Sequence, residues 1–542
     1  MPPILLAGDV DAIKDFVFET SSLPQISGGS DLLLECEECI RSDLQKQFGY
    51  KVVYCGGGGF LLEVDAEKAE EVKRAIERRY LKTTGIATVT IVCETEALPD
   101  LPQSWPQDGW AARIARASEE SVQAGDFARR MAALASRMHE AKTRKTGSPF
   151  YEAFPFGRRC DRCGKRMGAY PDPVEGEKVL CPICKRKRRD DIGRKKAGMD
   201  IRGQFNQEFW GYYGKRFPAK QPEDLDTLVR EARRGYLAFL YADGNDIGRC
   251  LQQARSEAEY RALSQALTDG TKQALFDALA QVCGKALRER KYWPFHILNI
   301  GGDDVTLLIQ AGYAWEVAVR FLELFEEKVN TRLKDALGSW PSGWPERITA
   351  SCGIAIADVK YPMRYFERLA NDLLREAKKL AKKNPGQPTS AVTFLWLPTP
   401  VASEKAEPLM AFYRPSGDLR LTARPYTLEQ ARAILEASRK VARWPRTLRH
   451  RWAEALAQGV FPSVNLIHYD IARRQEQKRV DMYQTLVEIG CLVRPEEGDI
   501  PAPIWYQVRE NNQTVWKTAL LDALELAELE ATRPEVEEEE AE

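Results

Sequence analysis

The sequence of 542 residues has no apolar run approaching the length of a membrane-spanning helix, and it has no net charge, because 79 Lys and Arg offset 79 Asp and Glu. The first absence leaves no transmembrane helix to place. The second means that overall charge says nothing about partners, so any nucleic-acid surface must be local. The N-terminus lacks the basic segment and cleavage pattern of a secretory signal. A soluble, cytoplasmic protein that does not engage membranes is expected. Histidine is scarce: His139, His296, His450 and His468 are all there are. None stands beside an Asp and none pairs at metal-ligand spacing, so a His-Asp nuclease site is not readable. No P-loop and no Ser/His/Asp signature occurs either. The 12 cysteines do not form a disulfide framework. Two Cys-x-x-Cys pairs lie close in sequence, and Cys36 and Cys39 form a third within a predicted helix, where they read as core residues. The remaining six are scattered, mostly among apolar neighbours. That pattern suits a reducing compartment and one metal site.

What the chain does have is 44% hydrophobic residues, enough for several cores, and a length that suits three or four domains. Its most informative stretch is Asn299-Ile300-Gly301-Gly302-Asp303-Asp304-Val305-Thr306. Apolar runs on both sides predict strand, tight turn, strand. The glycines leave room for a bulky ligand against the backbone, and two carboxylates stand at the tip. A second acidic strand end, Tyr236 to Ala242 followed by Asp243-Gly244, lies some sixty residues earlier. Asp243, Asp303 and Asp304 together could share two divalent cations, Mg²⁺ or Mn²⁺, as a two-metal phosphoryl-transfer site requires.

The same order of elements occurs twice. Residues 1–98 read as β-α-β-β-α-β, the ferredoxin-like arrangement of polymerase and cyclase palms, and residues 231–400 repeat it. In the alignment Asp9 corresponds to Asp243, and Gly56 to Gly59 correspond to Gly301 to Asp304. Gly58 and Gly59 then stand where the second copy has Asp303 and Asp304. The first palm is thus degenerate: it keeps the turn and lacks the metal carboxylates. The fold class is α/β (α+β), two ferredoxin-like palms with a zinc-binding helical insert over residues 99–230 and a helical C-terminal domain over 401–542. That domain is read as four helices, Thr427 to Lys440, Thr447 to Ala457, Tyr469 to Val487 and Thr514 to Ala531, with an acidic, disordered tail from Glu535 to Glu542.

The insert carries Cys160-Asp161-Arg162-Cys163 and, after seventeen residues, Cys181-Pro182-Ile183-Cys184. Two knuckles at this spacing place four thiolates around one structural Zn²⁺, because protein fills every position. A basic run, Lys185 to Arg189 and then Arg194 to Lys196, follows; it is either a solvated face or a phosphate contact. Lys378 and Lys382 lie one turn apart on a predicted helix. They either meet triphosphate oxygens or simply complete a solvated helix end.

Gly8 to Phe18, together with Ser27-Gly28-Gly29-Ser30-Asp31-Leu32-Leu33, resembles the opening of the first palm in the large subunit of type III CRISPR effector complexes, Cmr-like in character. The cysteine quartet, the Gly301 to Asp304 palm and the C-terminal helices follow in that family's order. The resemblance implies a second palm that joins ATP into cyclic oligoadenylate messengers, with Asp243, Asp303 and Asp304 as metal ligands. It implies nucleotide contacts from Gly244, Gly301, Gly302, Lys378 and Lys382, and from Asp9, Gly28, Gly29, Ser30, Gly57 and Gly58 of the first palm. It also implies guide RNA, target RNA, and small and backbone protein subunits as partners. Members of the family commonly open with a His-Asp nuclease domain, which this chain is expected to lack. Three further readings stay open: condensation of ATP with another adenosyl compound such as S-adenosylmethionine, a diguanylate-type cyclase, and a scaffold that binds nucleotide without turnover.

Overall fold

The computed structural model describes residues 3–94, 126–145, 156–173, 175–188, 201–383, 387–399, 401, 403, 405–493, 504–510 and 513–534. The linker, the acidic tail, Arg189 and the basic residues Arg194 to Lys196 fall outside them.

The first palm is a four-stranded antiparallel sheet of β1 (Ile4–Val10), β2 (Lys51–Gly56), β3 (Gly59–Val64) and β4 (Val89–Cys93), in the order β2-β3-β1-β4. The helices Leu23–Arg41 and Ala69–Thr84 provide its crossovers. This is the ferredoxin-like order expected from the sequence. Leu6, Leu62 and Cys93, which the register places on one face of the sheet, are buried. Cys36 and Cys39 are buried on the helix Leu23–Arg41, as core residues. Burial also pushes the Cys36 thiol up to about 12.

After two short antiparallel strands, β5 (Tyr170–Pro171) and β6 (Val179–Leu180), the second palm repeats the plan with β7 (Tyr236–Gly244), β8 (Phe295–Gly301), β9 (Asp304–Gln310), β10 (Ala350–Asp358) and β11 (Ala391–Trp396). With β13 (Tyr426–Thr427) its sheet runs β13-β11-β10-β7-β9-β8. The four strands β10-β7-β9-β8 match β4-β1-β3-β2 of the first palm, and β11 adds in parallel to β10. Strand β7 is buried on both faces, which explains its unbroken apolar run.

Pairing registers confirm the duplication residue by residue. Gly8 opposes Phe60 and Asp9 opposes Gly59 in the first palm; Ala242 opposes Val305 in the second. In the two hairpins, Gly56 opposes Gly59 and Gly301 opposes Asp304. Ala12 and Asp246, each three residues past the aligned Asp, both adopt the left-handed conformation, with φ of 49° and 55°.

The palms pack on one another. The Phe18 and Phe239 rings meet edge to face at 5.4 Å. Ser27 Oγ lies 2.7 Å from His296 Nε2. Burial depresses His296 to about 3, so it stays neutral and serves as a packing and hydrogen-bonding group.

The C-terminal region differs from its reading as helices alone. One helix expected over Tyr469 to Val487 is two, Val460–Ala472 and Glu476–Cys491. Pro462 sits in the first turn of the former, where no backbone N–H is needed. The stretch expected as a helix from Thr514 begins instead as β15 (Gln513–Lys517), paired with β14 (Tyr506–Glu510) and β12 (Leu419–Arg420). The helix starts only at Leu520. The buried Arg424 guanidinium ties this region to the second palm: it donates to the Phe394 carbonyl at 2.8 Å and pairs with Asp522 and Glu525 at 2.7 Å each. With each partner satisfied, such a network fixes one packing arrangement.

Candidate active site at the palm–palm junction

Strand β7 ends in Asp243-Gly244, and the β8–β9 turn presents Asp303 and Asp304 beside it. The three carboxylates converge: a Cβ on Gly244 would lie 2.9 Å from Asp303 Oδ2. Asp304 Oδ1 folds back over Gly301 and accepts from Asn299 Nδ2 at 3.4 Å. Removal from water, then the charge of Asp243, pushes Asp304 up to about 7. The same two causes raise Asp303 well above the usual carboxylate range. Carboxylates withdrawn from water and crowded in this way form a donor set that divalent cations would relieve. Oxygen-only donors suit Mg²⁺ or Mn²⁺. Lys378 donates to both Asp243 Oδ2 and the Gly244 carbonyl, the latter at 2.9 Å. Lys382, one turn on, pairs instead with Asp246 at 2.7 Å.

The degenerate palm abuts this site. Gly57 and Gly302, both with positive φ (63° and 78°), occupy equivalent turn positions. The two turns meet so closely that a Cβ on Gly57 would stand 2.5 Å from the Gly301 carbonyl oxygen. Only glycine fits there, on both steric and dihedral grounds. Gly57→Ala should therefore push the turns apart. A fall in stability of about 1–3 kcal/mol in denaturant titration is expected. Gly58 is fixed from beneath by Glu37, whose buried carboxylate accepts from the Gly58 N–H at 2.7 Å.

Asp9, the counterpart of Asp243, is ion-paired with Lys142 on the helix Asp126–Arg144. Lys145 pairs with Asp11 at 2.5 Å. Lysine contact to the β1 or β7 aspartate is thus common to both palms, whereas the hairpin carboxylates occur in one. Gly28, Gly29 and Ser30 lie within the buried helix Leu23–Arg41. A Cβ on Gly28 would come 1.6 Å from the Lys187 carbonyl oxygen, so this glycine permits contact with the helix Pro182–Arg188.

The four sulfurs of Cys160, Cys163, Cys181 and Cys184 lie within 4.8 Å of one another, a spacing that could hold a metal ion. Four soft donors in a closed set fit Zn²⁺. The unit is anchored to the first palm. Arg166 lies 3.8 Å from the sulfurs of Cys163 and Cys181 and pairs with Glu19 at 2.8 Å. Lys187 is fully buried, donates to the Phe16 carbonyl and pairs with Glu19 at 2.6 Å. Of the described part of the basic run, Lys187 is buried and Arg188 half-buried, while Lys185 and Arg186 are exposed. Lys187 points inward, Arg188 pairs with buried Asp172, Lys185 covers the Tyr170 ring and Arg186 donates to the Lys82 carbonyl at 2.8 Å.

Sequence reasoning missed Lys14, on the short first-palm helix Ile13–Val17. Its ammonium crosses to the second palm, donates to the Tyr241 hydroxyl and lies 3.9 Å from Glu367 Oε1. It also missed Lys142, Lys145 and Glu37. Lys14 lies within the Gly8 to Phe18 motif, which was the available signal; the other three had none.

The second palm thus joins a ferredoxin-like sheet to a cluster of three carboxylates at one strand end and one hairpin tip. Residues 236–385 match the family model of the Cas10/Cmr2 second palm domain, which bears out the resemblance to the type III CRISPR large subunit over that domain. No curated protein matches the chain. Among solved structures, a Csm1–Csm4 cassette in complex with pppApApA is 13% identical, with a TM-score of 0.49, covering 98% of this chain and 69% of that one. Csm1 of T. onnurineus is 14% identical, with a TM-score of 0.47, covering 98% and 70%. A cassette in complex with cA4 is 14% identical, with a TM-score of 0.42 and 76% of this chain covered; the match spans 58% of that chain's length. Among the described residues, no helix is long and apolar enough to cross a membrane.

Proposed function

We propose that the chain is the large subunit of a type III CRISPR effector complex and that its second palm joins ATP into cyclic oligoadenylates when target RNA is bound. The observation that carries this reading is the convergence of Asp243, Asp303 and Asp304 at one strand end and one hairpin tip, in the domain that matches the Cas10/Cmr2 family. These residues would hold two Mg²⁺ or Mn²⁺ ions, which when bound lower the pKa of an attacking 3′-hydroxyl and neutralise charge on the triphosphate. Lys378 is placed to turn from Asp243 to a phosphate oxygen once the carboxylate has another cation to bind. Gly301 and Gly302 let a nucleotide approach the backbone. Catalysis of this kind is positioning and electrostatics, and it asks for no His or Cys nucleophile.

The first palm, lacking the hairpin carboxylates, contributes a wall and not a second two-metal centre. Phe461, Tyr469 and Tyr483, exposed on the C-terminal helices, support subunit contacts there. Guide and target RNA are proposed as partners of the assembled complex. Structural Zn²⁺ completes the set of ligands.

Incubating the RNA-bound complex with each nucleoside triphosphate singly, and with ATP plus S-adenosylmethionine, separates the chemistries by mass spectrometry. Cyclic or linear adenylates from ATP alone are expected. A product formed only from GTP would establish the diguanylate reading, and one formed only with the second adenosyl compound would establish condensation.

A further inference from the structure

The first palm contributes more than its glycine turn to the junction. The helix Ile13–Val17 sends the Lys14 side chain out of its own domain. The ammonium sits 3.9 Å above the centroid of the Tyr241 ring and donates to that tyrosine's hydroxyl. Tyr241 lies on β7, two residues before Asp243. On its other side the ammonium approaches Glu367, on the helix Met363–Ala381 that also carries Lys378. Glu367 is 8% exposed, and its Oε1 has no hydrogen-bond partner. Lys14 is therefore the cation between two elements of the second palm that aim the catalytic strand end and the phosphate-side lysine. Its charge also acts on Asp243 and Asp304 across the junction.

The helix carrying Lys14 is itself held. The buried Lys187 ammonium donates to the Phe16 carbonyl and covers the Phe16 ring at 4.0 Å, while Glu19 joins Lys187 to Arg166. An exposed lysine on a mobile segment would have no fixed charge position; this one is braced two residues away.

We propose that Lys14 is a positioning residue that the degenerate palm supplies to the active palm, held between Tyr241 and Glu367 so that one fixed positive charge faces the carboxylate cluster and the incoming triphosphate. This rests on the reading of Asp243, Asp303 and Asp304 as a divalent-cation site. A fixed cation at this place has opposite effects on the two classes of ligand. It repels a metal ion entering the carboxylates and attracts the polyanion that follows. A residue that only held the fold together would affect both in the same sense.

The test uses the purified full chain and binding, so it needs no turnover. Mn²⁺ alone is titrated by electron paramagnetic resonance, and a non-hydrolysable ATP analogue is titrated with Mg²⁺ present. Lys14→Met is expected to bind Mn²⁺ about 3- to 10-fold more tightly and the analogue about 10-fold more weakly, the size of one screened charge near the site. Lys14→Gln should show the same two shifts, and Lys14→Arg, which keeps the charge, should show neither. Zinc content and thermal unfolding of each variant report folding. Both shifts are required: if either is missing, or if both affinities fall together, the proposal is overturned. A wild-type chain with no Asp303-dependent Mn²⁺ site overturns the cation-site reading and this proposal with it, whereas a wild-type site unchanged by Lys14→Met overturns this proposal alone.

Discussion

Replacing Asp303 and Asp304 together by Ala should abolish nucleotidyl transfer while leaving the fold in place. Both residues sit at a hairpin tip and are half-buried; neither contributes to the apolar core of β8 and β9. Burial, and then the charge of Asp243, raises both carboxyl groups, so removing them relieves an unfavourable placement of charge in the metal-free chain. Stability should hold or rise slightly. Transfer should not survive, because the two cations these carboxylates would hold, worth several kcal/mol of transition-state charge stabilisation, would lose their ligands. A loss of ~4 kcal/mol or more corresponds to a fall of about 10³-fold in rate. Labelled ATP with target RNA and Mg²⁺ or Mn²⁺ reads it directly. Lys379→Ala is the control on the neighbouring helix. That side chain is 72% exposed and pairs with Glu376, away from the carboxylates, so its rate should match the wild type.

The second large effect concerns the cysteine quartet. Cys160→Ser with Cys181→Ser should lose the one zinc expected per chain, and the loss should reach beyond the knuckle. Arg166 contacts two of the sulfurs and Glu19; Lys187, paired with Glu19, in turn holds the Phe16 carbonyl. Without the metal, Lys187 would remain a buried charge on a helix no longer fixed at Cys184, an unfavourable arrangement. Metal loss belongs to the few changes that cost ~4 kcal/mol or more. Metal analysis gives the stoichiometry. Limited proteolysis is expected to cut within residues 156–188 first, and the thermal midpoint of the whole chain should fall. A double variant that keeps its midpoint and its protease resistance would show that the knuckle is not a structural metal site.

The parts of the molecule that were legible in the sequence are those written in local patterns. The second palm could be read because β7 is an apolar run ending in Asp243-Gly244, and β8 and β9 are largely apolar strands on either side of the Gly301 to Asp304 turn. The duplication could be read because the order of elements repeats and the four-glycine turn of the first palm lies between two apolar strands, as Gly301 to Asp304 does. The pairing registers agree with that alignment at each position.

What was hidden depends on contacts between distant segments. Lys14 and Lys142 look like ordinary surface lysines until the fold brings them to Tyr241 and Asp9. The basic run after Cys184 has the composition of a solvated or nucleic-acid face, but among its described residues tertiary packing buries Lys187 and pairs Arg188 with Asp172. Gly28 and Gly29 carry a family-like motif, yet their local surroundings are the zinc unit's helix. In the C-terminal region, β15 is five residues long and runs directly towards a strongly helical segment, so helical periodicity outweighed its Thr and Val.

The most direct test of the central claim is pyrophosphate release from ATP by the assembled complex with Mg²⁺, measured with and without target RNA. Release that requires target RNA and disappears in the Asp303 and Asp304 double variant is the predicted result. A complex that binds ATP yet releases no pyrophosphate under any RNA condition would contradict it and leave the second palm a nucleotide-binding scaffold.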